Sequence, residues 1–238
     1  MSVSTSVSRL TLYYKRNGVG ATARRAALAI RRLFSRRMVL FYCNLNGRSS
    51  ELADLPPLLT VERKKNEGQI TPLDLEEIIR TWNSTTAYRS IRGRFAHGAS
   101  LWMIKSEGKL AGYGWSLRGR TIERHYYRLG PDDVHLFDFY VFPQYRGRGL
   151  NPLLVTEILR NLAIERMDRA FIEAAEWNQA QLASLRKTPF HRLGRASKFT
   201  ILQKTIIFWD ESPADSEINN VTIDATSQKG SRVQNLRA

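Results

Sequence analysis

The stretch Asp138-Phe-Tyr-Val-Phe-Pro-Gln144-Tyr145-Arg146-Gly147-Arg148-Gly149-Leu150 joins an apolar run to an amphipathic one through two glycines in Gly-x-Gly spacing. Glycine lets the backbone come close to a ligand and take positive φ. The helix expected to start here aims unpaired N–H groups and the positive end of its dipole at the same place. That makes an anion site fit for a phosphate or pyrophosphate. Arg146 and Arg148 add charge that can reach phosphate oxygens. A basic turn with no ligand would carry the same residues, so spacing alone leaves both readings open. The Gly-Lys-Ser/Thr ending of a Walker loop is absent, as is the six-residue Gly-x-Gly-x-x-Gly dinucleotide fingerprint.

Other reactive side chains are few. His135 opens the apolar strand that leads to Val141, and imidazole as a group exchanges protons near neutrality. A structural histidine is the commoner occupant of such a strand. Asp138 falls on the opposite strand face from Val141 by simple alternation and ranks lower as a base. Cys43 is the single cysteine and sits in an apolar run, so a buried inert thiol is expected there. One cysteine excludes an internal disulfide framework and a cysteine-rich zinc site. The four histidines (His97, His125, His135, His191) show no metal-ligand spacing, and no metal is expected.

The elements that must position these residues follow from periodicity. Val134–Phe142 reads as a strand ending at Pro143, followed by a helix from about Gly149 to Arg166 with Leu153, Leu154, Ile158 and Leu162 on one face. Ala170–Ala175 reads as a strand, Asn178–Lys187 as a helix and Phe199–Trp209 as one long final strand. Upstream, Met38–Cys43 and Leu58–Arg63 read as strands. Thr71 caps a helix with Pro72 at its first position, running to about Trp82. Ser100–Lys105 and Lys109–Leu117 flank Glu107-Gly108 as a hairpin, and Arg120–Arg128 is a further strand or an ordered loop. Trp102, Tyr113, Trp115 and Trp177 are expected in core or cleft packing. The whole is mixed α/β (α+β): a mostly antiparallel central sheet with helices on both faces.

Charge divides the 238 residues unevenly. The chain carries +15 overall; residues 1–50 hold ten basic and no acidic side chains, residues 51–209 a net +7, and residues 210–238 a net −2. Residues 1–50 therefore read as a basic N-terminal arm, with an amphipathic helix at about 21–38 and then a short strand. Residues 58–209 read as the folded domain and 211–238 as a disordered tail. The arm fits three roles, in this order: docking on its own domain, lying on an anionic membrane surface, or neutralising nucleic acid, which is disfavoured because aromatic interleaving is missing. Arg118, Arg120, Arg124 and Arg128 cluster near where an acceptor could enter; they fit a solvated loop or an acidic, phosphorylated acceptor. No apolar run approaches the roughly 20 residues of a membrane span, and arginines interrupt each N-terminal apolar stretch. A cytoplasmic protein, at most peripheral to a membrane, is expected.

Val141-x-Pro143-x-Tyr145-Arg146-Gly147-Arg148-Gly149-Leu150 resembles the acyl-CoA-binding motif of the GNAT N-acetyltransferases, whose Gln/Arg-x-x-Gly-x-Gly/Ala loop matches Gln144, Gly147 and Gly149. Glu173, Asn178 and Phe190 keep the family's downstream spacings. The resemblance covers about Leu58 to Trp209. It implies that backbone N–H groups of Arg146 to Leu150 hold the CoA pyrophosphate. It also implies that Val141 and its neighbours pair with the pantetheine arm, and that Asn178 bonds the cofactor or the cleft wall. Glu173 becomes the first candidate for the base and His135 the second. The implied activity is acyl-CoA-dependent N-acyl transfer, with acetyl-CoA and a primary amine as partners, by direct attack in a ternary complex. Two departures stand out: Leu185 occupies the position of the family's frequent Tyr, and Pro189 that of a Gly. The alternative is a non-catalytic acyl-CoA-binding module held at a membrane or nucleic acid by its arm.

Overall fold

The computed structural model describes residues 19–20, 37–47, 55–81, 84–122, 125–126, 128–201, 204–211 and 227–229. Strands β1 (Arg37–Asn44), β2 (Leu59–Lys64), β3 (Ser100–Ser106), β4 (Lys109–Arg118), β5 (Asp133–Val141), β6 (Arg169–Ala175), β7 (His191–Ile201), β8 (Lys204–Glu211) and β9 (Ser227–Lys229) form one sheet. Its order is β2-β3-β4-β5-β6-β1-β7-β8-β9. Pairing is antiparallel except for β5 with β6 and β8 with β9. Helices α1 (Pro72–Thr81) and α2 (Ser84–Ala96) cover one face, and α3 (Leu150–Ile164) with α4 (Gln179–Leu185) cover the other. The expected mixed, mostly antiparallel sheet with helices on both faces is thus present.

Local chemistry explains most element ends. The Thr71 hydroxyl accepts from the Asp74 N–H at 3.2 Å, the capping bond that starts α1. Asp74 then buries its carboxylate against Lys105 of β3 at 3.0 Å, tying helix to sheet. The β3–β4 turn has Glu107 at φ 52 and Gly108 at φ 76, the two positive values that a tight hairpin turn requires. Trp102, Tyr113 and Trp115 are buried core residues, and Cys43 is buried too, as expected of an inert thiol.

Two devices open the sheet where a ligand can enter. The parallel pairing of β5 and β6 runs only from Asp133–Arg169 to Leu136–Ile172, so the strands part beyond it. On its other edge β5 carries a bulge: Asp138 takes φ 52, and the register with β4 slips so that Trp115 faces Phe137 while Tyr113 faces Tyr140. Past the bulge the alternation reverses. Phe139 and Val141 join Val134 and Leu136 against α3, while Phe137 and Tyr140 pack on the α1–α2 side. The ranking of Asp138 by unbroken alternation therefore has no basis; its exposed carboxylate pairs with Arg94.

The structure differs from the sequence reading in four places. The strand at 38–43 is no part of an arm; β1 lies between β6 and β7, antiparallel to both. Phe199–Trp209 is two strands, β7 and β8, paired as a hairpin. A run of polar and basic residues from His191 to Lys198 hides the strand character of β7. Helix α2 had no counterpart, because Arg89, Arg92 and Arg94 leave it little apolar periodicity; its core contact rests on Ala87 and Ile91. The stretch read as a disordered tail contributes β9 at the sheet edge. The helix expected at about 21–38 lies outside the described residues except for Arg37 and Met38, which begin β1.

Candidate active site

A cleft of about 470 Å³ opens where β5 ends and α3 begins. Val141, Tyr145, Arg146, Gly147, Gly149 and Leu150 line one side, and Asn178, Gln181, Ser184 and Lys187 of the α4 region line the other. Gly147 and Gly149 take φ 79 and 72, the left-handed region that favours glycine, and a methyl group at either would meet nothing within 4 Å. Gly149 is the N-cap of α3, with no side chain to satisfy the first turn. Helix geometry gives the N–H groups of that turn no acceptor, so an anion in the cleft can take them. Arg146 donates from Nε to the Val141 carbonyl at 3.1 Å and lies over the Tyr140 ring at 5.5 Å. Arg148 lies over the Tyr145 ring at 5.6 Å but does not line the cleft, and neither does Gln144. The Asn178 side chain caps α4 by accepting from the Gln181 N–H at 3.3 Å and donates to Gln181 Oε1 at 3.0 Å. It serves the cleft wall.

The proton-transfer candidates lie on the sheet face away from α3. His135 Nε2 and Glu173 Oε2 are 2.8 Å apart. Glu173 stands one residue beyond the last β5–β6 pair, at the first position where the two strands have parted. Leu40 of β1 is its cross-strand neighbour. The carboxyl faces burial, which works against its charge. The His135 imidazole and their mutual hydrogen bond, with His125 and Lys198 behind them, win and hold it down to about 2. Neither His135 nor Glu173 lines the cleft.

The sequence did not single out His125 for this site. It comes from the segment between β4 and β5, and its Nδ1 lies 3.9 Å from Glu173 Oε2. Its ring centroid is 4.6 Å from that of His135. Burial pushes His125 down to about 3, against the attraction of Glu173 and with help from His135 and Lys198. That segment is closed at its base by Asp133. Asp133 takes two 2.8 Å bonds from Arg169 and one of 2.7 Å from the Gly130 N–H. Arg118 pairs with Asp132, and Arg120 donates to the His97 carbonyl. Two members of the basic cluster thus hold structure, while Arg124 lies outside the described residues.

Leu185 is fully buried in the α3-side core, so the position of the missing Tyr is turned away from the cleft. Its neighbour Ser184 lines the cleft instead, and Asn151 Nδ2 donates to Ser184 Oγ at 2.8 Å. Phe139, Tyr140, Asn151, Ser184 and Lys187 are cleft residues that motif reading missed. Only the i, i+3 spacing of Ser184 and Lys187 along one helical side could have signalled them.

The sequence profile of the acetyltransferase (GNAT) family matches residues 68–189, just over half of the chain. No curated protein matches. Among solved structures, the chain is similar to a putative GNAT-family acetyltransferase from Novosphingobium aromaticivorans (14% identity over 67% of this chain and 62% of that one, TM-score 0.45). It is similar also to a GNAT-family acetyltransferase from Colwellia psychrerythraea (14%, 66% and 52%, TM-score 0.47). A Bacillus subtilis acetyltransferase in complex with CoA gives 16%, 54% and 74%, with a TM-score of 0.41. The chain spans less than two thirds of the length of the first two. Among the described residues no helix is long and apolar enough to cross a membrane.

Proposed function

Given that the chain belongs to the acetyltransferase (GNAT) family, we propose that it moves an acetyl group from acetyl-CoA to a primary amine by direct attack in a ternary complex. The observation that carries this reading is the pairing of two features across one opening. A glycine-edged anion cleft lies on one side of the parted strands, and the His135–Glu173 hydrogen bond lies at their fork. In this reading the backbone of Gly147 to Leu150, with the side chains of Arg146 and Lys187, holds the CoA phosphates, the Arg146 N–H itself being taken by the Pro143 carbonyl. Val141 and its neighbours align the pantetheine. Ammonium is unreactive toward a thioester, so the amine must shed a proton before or during attack. His135 and Glu173 take that proton as a pair: Glu173 accepts from His135 Nε2–H, the remaining ring nitrogen Nδ1 is buried, and the amine's proton therefore reaches the pair at the 21%-exposed carboxylate. An acidic acceptor would have to be met by cations other than Arg118 and Arg120, which are already engaged.

Calorimetry with acetyl-CoA and thiol release over an amine panel test the reading together. Binding plus turnover is expected, with His135→Asn and Glu173→Gln each lowering kcat by about 10²–10⁴ while leaving the acetyl-CoA Kd within a few-fold. Absence of CoA and acetyl-CoA binding at millimolar concentration would sink it. The second reading, a non-catalytic acyl-CoA-binding module, draws on the burial of Leu185 where the family often has Tyr. Binding without turnover on any amine would select it.

A further inference from the structure

Among the described residues, His125, His135 and Glu173 are a group of three ligating side chains whose donor atoms all lie within 4.8 Å of one another. They come from three separate segments: the β4–β5 connection, β5 and β6. We propose that they form a binding site for a divalent transition-metal ion of the zinc type. Two imidazoles and one carboxylate are a donor set that zinc takes with a fourth position left open. With bonds of about 2.0–2.2 Å, tetrahedral ligands stand roughly 3.3 Å apart. Glu173 Oε2 is 2.8 Å from His135 Nε2 and 3.9 Å from His125 Nδ1, so modest side-chain shifts bring all three to a common ion. The side chains of His125 and His135 retain only 5% and 8% of their exposure, which keeps the ligands in place. Glu173 retains 21%, leaving a path for the ion and room for a water or a fourth ligand.

His135 Nδ1 is buried and meets no hydrogen-bond acceptor among the described residues. Metal-bound histidines usually have a partner at their second nitrogen, and losing one weakens affinity about 10–100-fold. The site is therefore a reversible, micromolar one and not a structural zinc. Resting on the function proposed above, its consequence is inhibition: an ion bound to His135 Nε2 and Glu173 Oε2 displaces the proton between them and removes the base.

The test uses the full chain, free of tags and stripped with EDTA. Co²⁺ is followed by its visible ligand-field bands, and Zn²⁺ by competition with a chromophoric chelator. One equivalent of each should bind the wild type at micromolar Kd, and His125→Ala and Glu173→Gln should each weaken binding at least tenfold. His125→Asn keeps the test decisive if His125→Ala fails to fold, with melting curves as the check. No stoichiometric binding, or binding unchanged in both variants, overturns the site. Thiol release from acetyl-CoA, with and without Zn²⁺, is measured separately. Turnover by a protein that binds no metal removes only the metal site. Metal binding lost in the variants but with no acetyl transfer by the metal-free protein removes only the proposed reaction.

Discussion

Replacing Gly149 by alanine asks whether the loop before α3 holds the cofactor's phosphates. The residue sits at φ 72 and ψ 13. A residue with a Cβ pays about 1–2 kcal/mol to adopt that left-handed conformation. Lost freedom in the unfolded chain returns roughly 0.4–1 kcal/mol, so the net destabilisation is about 1 kcal/mol. For a chain of this size that lowers Tm by roughly 2–4 °C. No clash adds to it, because an ideal Cβ at this position meets nothing within 4 Å. The same open space lines the cleft, and a methyl group there stands where a pyrophosphate oxygen has to approach the backbone. Loss of one charge-assisted hydrogen bond is worth about 1.5–3 kcal/mol, so the acetyl-CoA Kd should rise about 10–100-fold. Gly108→Ala is the control. It has φ 76 in the β3–β4 turn, equally open space around its Cβ, and no contact with the cleft. It should reproduce the Tm loss without touching the Kd. Calorimetry with acetyl-CoA and thermal melting of both variants decide the matter. If both bind acetyl-CoA as the wild type does, the anion-site reasoning is wrong.

Three further outcomes are expected. In metal-free buffer, the wild type should lose roughly 2–3 kcal/mol more stability between pH 6 and 4 than His125→Phe. The reason is that His125 stays neutral in the fold down to about 3 while the unfolded chain takes up the proton near 6.5; equal urea-derived slopes would refute this. Glu173 acts in a lower window, its contribution present above pH 4.5 and lost as the pH falls toward 2. Ser184→Ala should lower kcat about tenfold at unchanged acetyl-CoA Kd, since Ser184 Oγ accepts from Asn151 and keeps its own proton for the leaving thiolate. An unaltered kcat in thiol-release kinetics would remove that role. Deleting residues 1–44 should abolish folding by circular dichroism, because β6 and β7 both lose the strand between them.

The glycine-edged cleft was legible because its parts are consecutive in sequence. A strand, a Gly-x-Gly turn and a helix start are local events, and each has its own residue signature. Val141, Tyr145, Arg146, Gly147, Gly149 and Leu150 line one cleft, whereas Gln144 and Arg148 do not. The grouping beneath the β4–β5 connection was not legible, although the family resemblance points to Glu173 and His135 one by one. Its members, Leu40, His125, His135 and Glu173, lie far apart in sequence, and only the register of β1 with β6 and of β5 with β6 brings three of them together. Charge was misleading in the same region. Counting residues 1–50 as one basic arm joined β1 to its acid-free neighbours, although Val39, Phe41 and Cys43 are core residues. Net charge describes solubility and partners, and burial decides which residues are inside the fold. The bulge at Asp138 shows a third kind of failure. Nothing in Phe137-Asp138-Phe139 marks an inserted residue, yet it reverses the alternation for the rest of the strand.

The hydrogen bond between His135 and Glu173 also reorders the proposed roles. A strand carboxylate in the family's position made Glu173 the first candidate for the base. Its surroundings hold it at about 2, however, and a group so reluctant to accept a proton is a poor partner for an amine near neutral pH. What holds it there, against its burial, is first the adjacent His135 and the hydrogen bond between them. Imidazole as a side-chain type exchanges protons near neutrality, and the His135 ring lies 2.8 Å from the carboxylate. In the proposed reaction the two residues act as one device: the fork in the sheet places Glu173, Glu173 orients the imidazole, and the pair takes the amine's proton. In this arrangement Glu173→Gln should retain the ring's position better than Glu173→Ala while losing the charge, so the pH profile of kcat separates orientation from electrostatics.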